Sequence, residues 1–195
     1  MAFVLTTAPA SEPISTAEAK THLRVDISAD DTFIDTLVKA ARQYVEQYTR
    51  RALITQTWDL WVDDFPADDA LPLGMAPLQS VTHVKYVDDT GATATMTATD
   101  YVVDSYNEPG KIVLKGSAAW PSATLQEVNG VNVRFVAGYG TASTSVPQPI
   151  LHAMKLLIGH WYENRENVVI TGAIPKNIPF AVEALLAPYR VYRWV

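Results

Sequence analysis

The chain has 195 residues, a net charge of −6 at pH 7, 48% apolar residues and 18% charged ones. This is enough apolar material for a buried core and speaks against global disorder, while the complete lack of cysteine excludes disulfides and thiolate metal sites and fits a reducing cytosol. The acidic balance, with no dense Lys/Arg run before the last few residues, argues against a protein that grips nucleic acid through many phosphate contacts.

The apolar stretches fall far short of the about 18 residues that a bilayer crossing needs, so no membrane contact is expected. Met1 to Pro13 has no basic segment ahead of an apolar core, as a secretory signal would, and its prolines and small residues suggest an extended arm. Ser15-Thr16-Ala17-Glu18 has the spacing of a capping box and predicts a short helix over about Thr16 to Arg24, with Ala19 and Leu23 inward. Asp30-Asp31 places two acids at the positive end of a second helix, about Asp31 to Arg51. Phe33, Ile34, Leu37, Val38, Ala41, Val45 and Tyr48 recur at three- and four-residue spacing and form its apolar stripe. The opposite face carries Asp35, Lys39, Arg42, Glu46 and Arg50, with Glu46 and Arg50 in the favourable order for an i,i+4 pair.

The period then changes. Thr55 to Val62 alternates Thr57, Asp59 and Trp61 against Trp58, Leu60 and Val62, as a strand does. Val81 to Val87 and Thr93 to Thr97 flank the turn signal Asp88-Asp89-Thr90-Gly91 and predict a hairpin. Strands over Tyr101 to Asp104, Lys111 to Lys115 and Val131 to Ala137 complete a small antiparallel sheet or sandwich. Pro147-Gln148-Pro149 reopens helix, since proline suits the first helical turn. Ile150, Ala153, Met154, Leu157, Ile158 and Trp161 form the stripe of a helix ending near Glu166. A last helix, Phe180 to Leu186, is stopped by Pro188.

The expected fold class is α+β: a helical bundle from the N- and C-terminal segments with an inserted small antiparallel β lobe. One domain is expected over 1–195, divided into N-terminal helices (1–54), a β-rich insert (55–140), C-terminal helices (146–188) and a tail (189–195).

Catalytic patterns are missing from this sequence. His22, His83, His152 and His160 form no HExxH or HxxxH pair, and the last two, eight residues apart on one helix, are separated by about 12 Å. No cofactor and no metal are expected. The acid pairs Asp63-Asp64, Asp68-Asp69 and Asp88-Asp89 lie in turn-like segments and read as solvated loop charges rather than a facing glycosidase pair. No serine stands in a Gly-x-Ser-x-Gly elbow, and Gly138-Tyr139-Gly140 lacks the lysine and third glycine of a phosphate loop. A hydrolase would have to use acids such as Asp59, Asp63 or Asp104. A monomeric binding module would use Trp58, Trp61 and Trp120 as platforms.

Two aromatic segments point to partners instead. His160-Trp161-Tyr162-Glu163-Asn164-Arg165-Glu166 puts adjacent Trp and Tyr on one helix, where they cannot share a face, so one of them meets a partner or covers the following loop. Tyr189, Arg190, Val191, Tyr192, Arg193, Trp194 and Val195 are apolar, aromatic and basic, whereas chain ends are usually polar and frayed. Trp, Tyr and Arg dominate interface hot spots, so the tail either inserts into a neighbouring protein or folds back as a strand.

Several segments, in order, resemble phage head–tail connector (adaptor, or head-completion) proteins. They are Pro13-Ile14-Ser15 with Ala17-Glu18-Ala19-Lys20 and His22-Leu23-Arg24-Val25, then Glu46-Gln47-Tyr48-Thr49-Arg50-Arg51-Ala52-Leu53 with Gln56-Thr57-Trp58. Leu71-Pro72-Leu73, Pro77-Leu78-Gln79-Ser80-Val81, Phe135 through Ala137-Gly138-Tyr139-Gly140, Val146-Pro147, Ile150, His160 through Glu166 and Ala184-Leu185-Leu186-Ala187-Pro188-Tyr189-Arg190 follow. The resemblance spans about residues 13 to 190, and Tyr192 to Val195 match no family pattern.

Such proteins, found in tailed phages and gene transfer agents, build a homo-oligomeric ring, commonly of twelve copies, beneath the portal. The resemblance therefore implies a structural protein of the virion neck, assembled in the bacterial cytoplasm, with no enzymatic step. Its partners would be the portal protein and tail-side stopper or terminator proteins, and DNA would pass through the channel without specific binding. On this reading Arg42, Glu46 and Arg50 of one long helix and Trp161, Tyr162 and Arg165 of the other lie between subunits, and Tyr189 to Val195 dock on the portal.

Overall fold

Helix periodicity at both ends of the chain and strand periodicity between them produce an α+β fold in the computed structural model, which describes residues 1–165 and 180–192. Glu166, the expected end of the third helix, and Arg193, Trp194 and Val195 of the tail lie outside the described residues. Two compact units emerge, one helical (described residues 10–54, 140–165 and 180–190) and one of strands (1–9, 55–139 and 191–192).

The helical unit contains α1 (Thr16–Leu23), α2 (Asp31–Thr49), α3 (Gln148–Glu163) and α4 (Phe180–Leu186). The capping box at α1 is formed as expected: the Glu18 N–H donates to Ser15 Oγ (3.2 Å) and the Ser15 N–H to Glu18 Oε2 (2.8 Å). Such a cap is worth about 1 kcal/mol. The α2 stripe is the buried face, with Ile34, Leu37, Val38, Ala41 and Val45 enclosed and Phe33 and Tyr48 half-buried. Facing residues of α3 (Ile150, Ala153, Met154, Leu157 and Ile158) and of α4 (Val182 and Leu186) complete this core.

The polar face of α2 differs from expectation. Arg42 and Glu46 are each only 8% exposed and pair with each other, and the expected Glu46–Arg50 pair does not form. The segment before α1 causes this, because it brings Glu12 to 2.8 Å from Arg42 Nε. Arg50 instead ends the helix in the left-handed conformation (φ 57°), with its side chain exposed. Asp30 stands at the start of α2 but makes no side-chain cap; its carboxylate is engaged elsewhere.

The β unit holds a five-stranded antiparallel sheet in the order β1 (Ala2–Thr7), β2 (Gln56–Val62), β8 (Val131–Ala137), β4 (Leu78–Val87), β5 (Thr93–Thr95). A three-stranded sheet has the order β3 (Ala70–Pro72), β7 (Lys111–Leu114), β6 (Tyr101–Asp104). The N-terminal arm is thus a strand: Ala2-Phe3-Val4-Leu5-Thr6-Thr7 is apolar and β-branched, and it pairs with β2 before Pro9 stops it. Phe3 packs over Gly74, where a Cβ would come within 2.5 Å of its ring, and the φ of +73° there also favours glycine.

Alternation along the sheet is as expected. Leu60, Val62, Val131, Val133, Phe135 and Val84 turn to the core face. On the other face Arg134 donates to both oxygens of Asp59, its direct partner across β2 and β8 (2.8 and 2.7 Å), while His83 Nε2 meets Asn132 Oδ1 at 3.0 Å.

Candidate functional site

One aromatic cluster of the helical unit joins α2, α3 and the residue after the last turn. Tyr44 and Tyr48 are four residues apart on α2, so helical geometry stacks them one above the other (centroids 6.2 Å apart, planes at 16°). Trp161 of α3 meets Tyr44 edge-on at 6.2 Å, and at the other end the Arg190 guanidinium lies 5.2 Å from the centre of the Tyr48 ring. Tyr44, Tyr48 and Trp161 are half-buried, so their free edges form a strip of aromatic surface. Burial raises the Tyr44 hydroxyl above its ordinary pKa, helped by the negative charge of Glu183 and by Tyr48.

A second cluster forms where the C-terminus of α3 meets the start of α2. Tyr162 Oη donates to Asp30 Oδ2 (2.5 Å), and Arg165 donates to the same oxygen (3.2 Å) while stacking over Phe33 (4.7 Å). The Tyr162 hydroxyl, with Arg165 beside it, lowers the Asp30 pKa, and that bond raises the pKa of Tyr162 in return. The adjacent pair Trp161 and Tyr162 therefore divides between two clusters of its own unit.

A 3-10 turn, Ala187–Tyr189, leads from α4 into the tail. Arg51 Nε donates to the Tyr189 carbonyl (2.5 Å), which ties the start of the tail to the residues just after α2. Val191 is buried and Tyr192 is 62% exposed.

Arg42 and Glu46 sit behind the strip rather than on it. Arg42 Nη1 donates to Glu46 Oε2 (2.7 Å), and the Leu53 N–H donates to Glu46 Oε1 (2.9 Å). Burial disfavours the charge on Arg42, yet the Glu46 and Glu12 carboxylates outweigh it and hold the guanidinium above its ordinary value.

The acids considered for hydrolysis are committed to separate tasks. Asp59 is bound to Arg134, which lowers its pKa; Asp63 accepts from the Asn129 N–H; Asp104 accepts from the N–H groups of Tyr106 and Asn107. Asp88 likewise organises its hairpin by accepting from the Thr90 and Ala92 N–H groups, so these carboxylates shape loops as well as solvating them. Trp120 stacks on Phe65 (5.1 Å) and donates to the Asp68 carbonyl, whereas Trp58 and Trp61 stand on opposite faces of β2, so the three indoles share no platform. Among the described residues no three His, Asp or Glu side chains are grouped to hold a metal ion, and no helix is long and apolar enough to cross a membrane.

Comparison with known proteins decides the family: the head completion protein family matches residues 12–192. The chain belongs to the head completion proteins. Among solved structures it is similar to a chain in the neck of an empty gene transfer agent particle computed with C6 symmetry (26% identity, TM-score 0.82). It is also similar to a chain of a native gene transfer agent virion (25%, 0.82) and to one in the neck of a native particle computed with C12 symmetry (26%, 0.78). Each alignment covers 100% of this chain and 98% of the other. No curated protein matches the sequence.

A head completion protein has a structural role at the junction of head and tail; in this member the residues singled out above gather in the aromatic strip, the Asp30 cluster and the start of the tail. Sequence reading singled out Trp161, Tyr162, Arg165 and the tail. It missed Tyr44 and Asp30 as their partners, and it placed Tyr48 only in the core stripe. The i,i+4 spacing of Tyr44 and Tyr48 was the available signal; Asp30 carried none, because its partner lies 132 residues away.

Proposed function

We propose that this protein is a connector of the neck of a phage or phage-like particle, forming a ring beneath the portal that extends the DNA channel and offers the tail its docking surface. The observation that carries this reading is the end-to-end match in fold to neck chains of gene transfer agent particles, together with the family match over residues 12–192. The C6 and C12 symmetries of those necks support a closed rotational assembly, in which one surface patch of each copy meets a different patch of the next.

In this arrangement the helices α2 and α3 supply subunit walls. Arg50, Trp161, Tyr162 and Arg165 face neighbouring copies, and the buried Arg42–Glu46 pair fixes α2 from behind. Residues from Tyr189 onward dock on the portal, with Arg190 and Tyr192 as the outward-facing groups. The tail-side partners are stopper or terminator proteins. The net charge of −6 suits a channel wall that DNA crosses without being held, and the role needs no cofactor and no chemical step.

The test is deletion of the gene in a producing strain, with particles imaged by electron microscopy. DNA-filled heads without tails, restored to tailed particles by the wild-type gene in trans, are expected. Normal tailed particles in the deletion strain would refute the reading.

A further inference from the structure

The β unit carries two features that the neck role leaves unused. The first is Tyr106, at the tip of the β6–β7 hairpin and 98% exposed. The tip is pre-ordered: Asp104 Oδ1 accepts from the N–H groups of Tyr106 (3.1 Å) and Asn107 (3.2 Å), and Asp104 Oδ2 accepts from Asn107 Nδ2 (2.5 Å). The loop backbone that presents Tyr106 is thus ordered before any contact, so binding has only the tyrosine side chain left to fix.

The second is a cleft of about 450 Å³ beside β1, lined by Ala2, Val4, Trp61, Gln126 and Asn129. Ala2 and Trp61 are direct partners across β1 and β2, and Val4 lies one pleat along from Ala2, so all three present their side chains on one face. Their surface is apolar. The Gln126 side-chain N–H groups are taken by the Val128 and Asn129 carbonyls (2.9 Å each), which makes its amide oxygen the rim's acceptor. An apolar floor with an acceptor at its edge matches a phenol, whose ring is apolar and whose hydroxyl needs a partner. None of the lining residues is charged, so a second copy of this acidic chain can approach without burying like charges.

We propose that Tyr106 of one copy seats in the Val4–Trp61 cleft of the next copy. Knob and cleft are different places on the same unit, so the contact is heterologous and repeats from copy to copy until rotation closes it. It rests on the ring reading above and adds the residues that join neighbours in the β unit.

The absence of native cysteine makes cross-linking decisive. Ser105→Cys, beside the knob, and Val128→Cys, on the cleft rim, both alter exposed positions and leave Tyr106 in place. In purified particles treated with a short bifunctional maleimide, the double variant should give a ladder of covalent multimers. Each single variant should stay monomeric, and particles assembled from an equal mixture of the two should stop at dimers. Adding Tyr106→Ala to the double variant should cut the cross-linked fraction at least tenfold. Dimers from either single variant, or no ladder from the double variant in necks shown by imaging to contain the chain as a ring, would overturn this contact and leave the connector reading standing. Necks lacking the chain altogether would overturn both.

Discussion

Replacing Glu46 by alanine tests whether the buried charge network, rather than surface pairing, holds α2 in place. The substitution removes the carboxylate from Arg42 (2.7 Å), whose side chain is only 10% exposed, and leaves it the Glu12 carboxylate. It also removes the acceptor of the buried Leu53 N–H. An orphaned buried N–H costs about 1–3 kcal/mol, and breaking one side of a buried ion pair about 3–5 kcal/mol. These costs overlap, so a loss of about 3–5 kcal/mol is expected. Glu46→Gln keeps a neutral acceptor for Leu53 and should lose about half as much. Arg50→Ala, at an exposed position with no ion pair among the described residues, should change stability by less than about 0.5 kcal/mol. Arg50→Gly, at a φ of 57°, should gain up to about 1 kcal/mol. Urea unfolding followed by helical circular dichroism, with a slope of about 2 kcal/mol/M, would place the Glu46→Ala midpoint about 2 M below wild type. A Glu46→Ala midpoint equal to that of Arg50→Ala would refute the reasoning.

Asp59 titrates below its ordinary value of 3.8 because Arg134 hydrogen-bonds and pairs with it. Its stabilising contribution is therefore complete above the unfolded value and lost as pH falls through the lower folded one. Asp59→Asn should be less stable than wild type at pH 6, with the gap closing in acid, as measured by paired thermal melts. Ser15→Ala should cost about 1 kcal/mol through loss of the α1 cap, read from the same urea titration. Arg190→Ala combined with Tyr192→Ala alters exposed groups and should leave the melting temperature within a degree or two while lowering the yield of tailed particles. Truncation before Tyr189 should instead destabilise the free chain, because it removes the carbonyl that Arg51 binds and the buried Val191. Equal melting temperatures for these two variants would show that the start of the tail is not anchored.

Local pattern was enough to find the helices and most strands of this chain. The three-and-four spacing of α2 and α3, the Ser15–Glu18 box and the alternation of β2 and β8 are each written within a few residues, so single-segment physics determines them. What only the tertiary structure decided is pairing at long range. It recruits the N-terminal arm as an edge strand, encloses Arg42 and Glu46 by bringing Glu12 alongside, and makes Asp30 a partner of Tyr162 instead of a cap. Periodicity reports which way a side chain points from its own backbone. Whether that side faces water depends on what other segments cover it, and no local spacing encodes this.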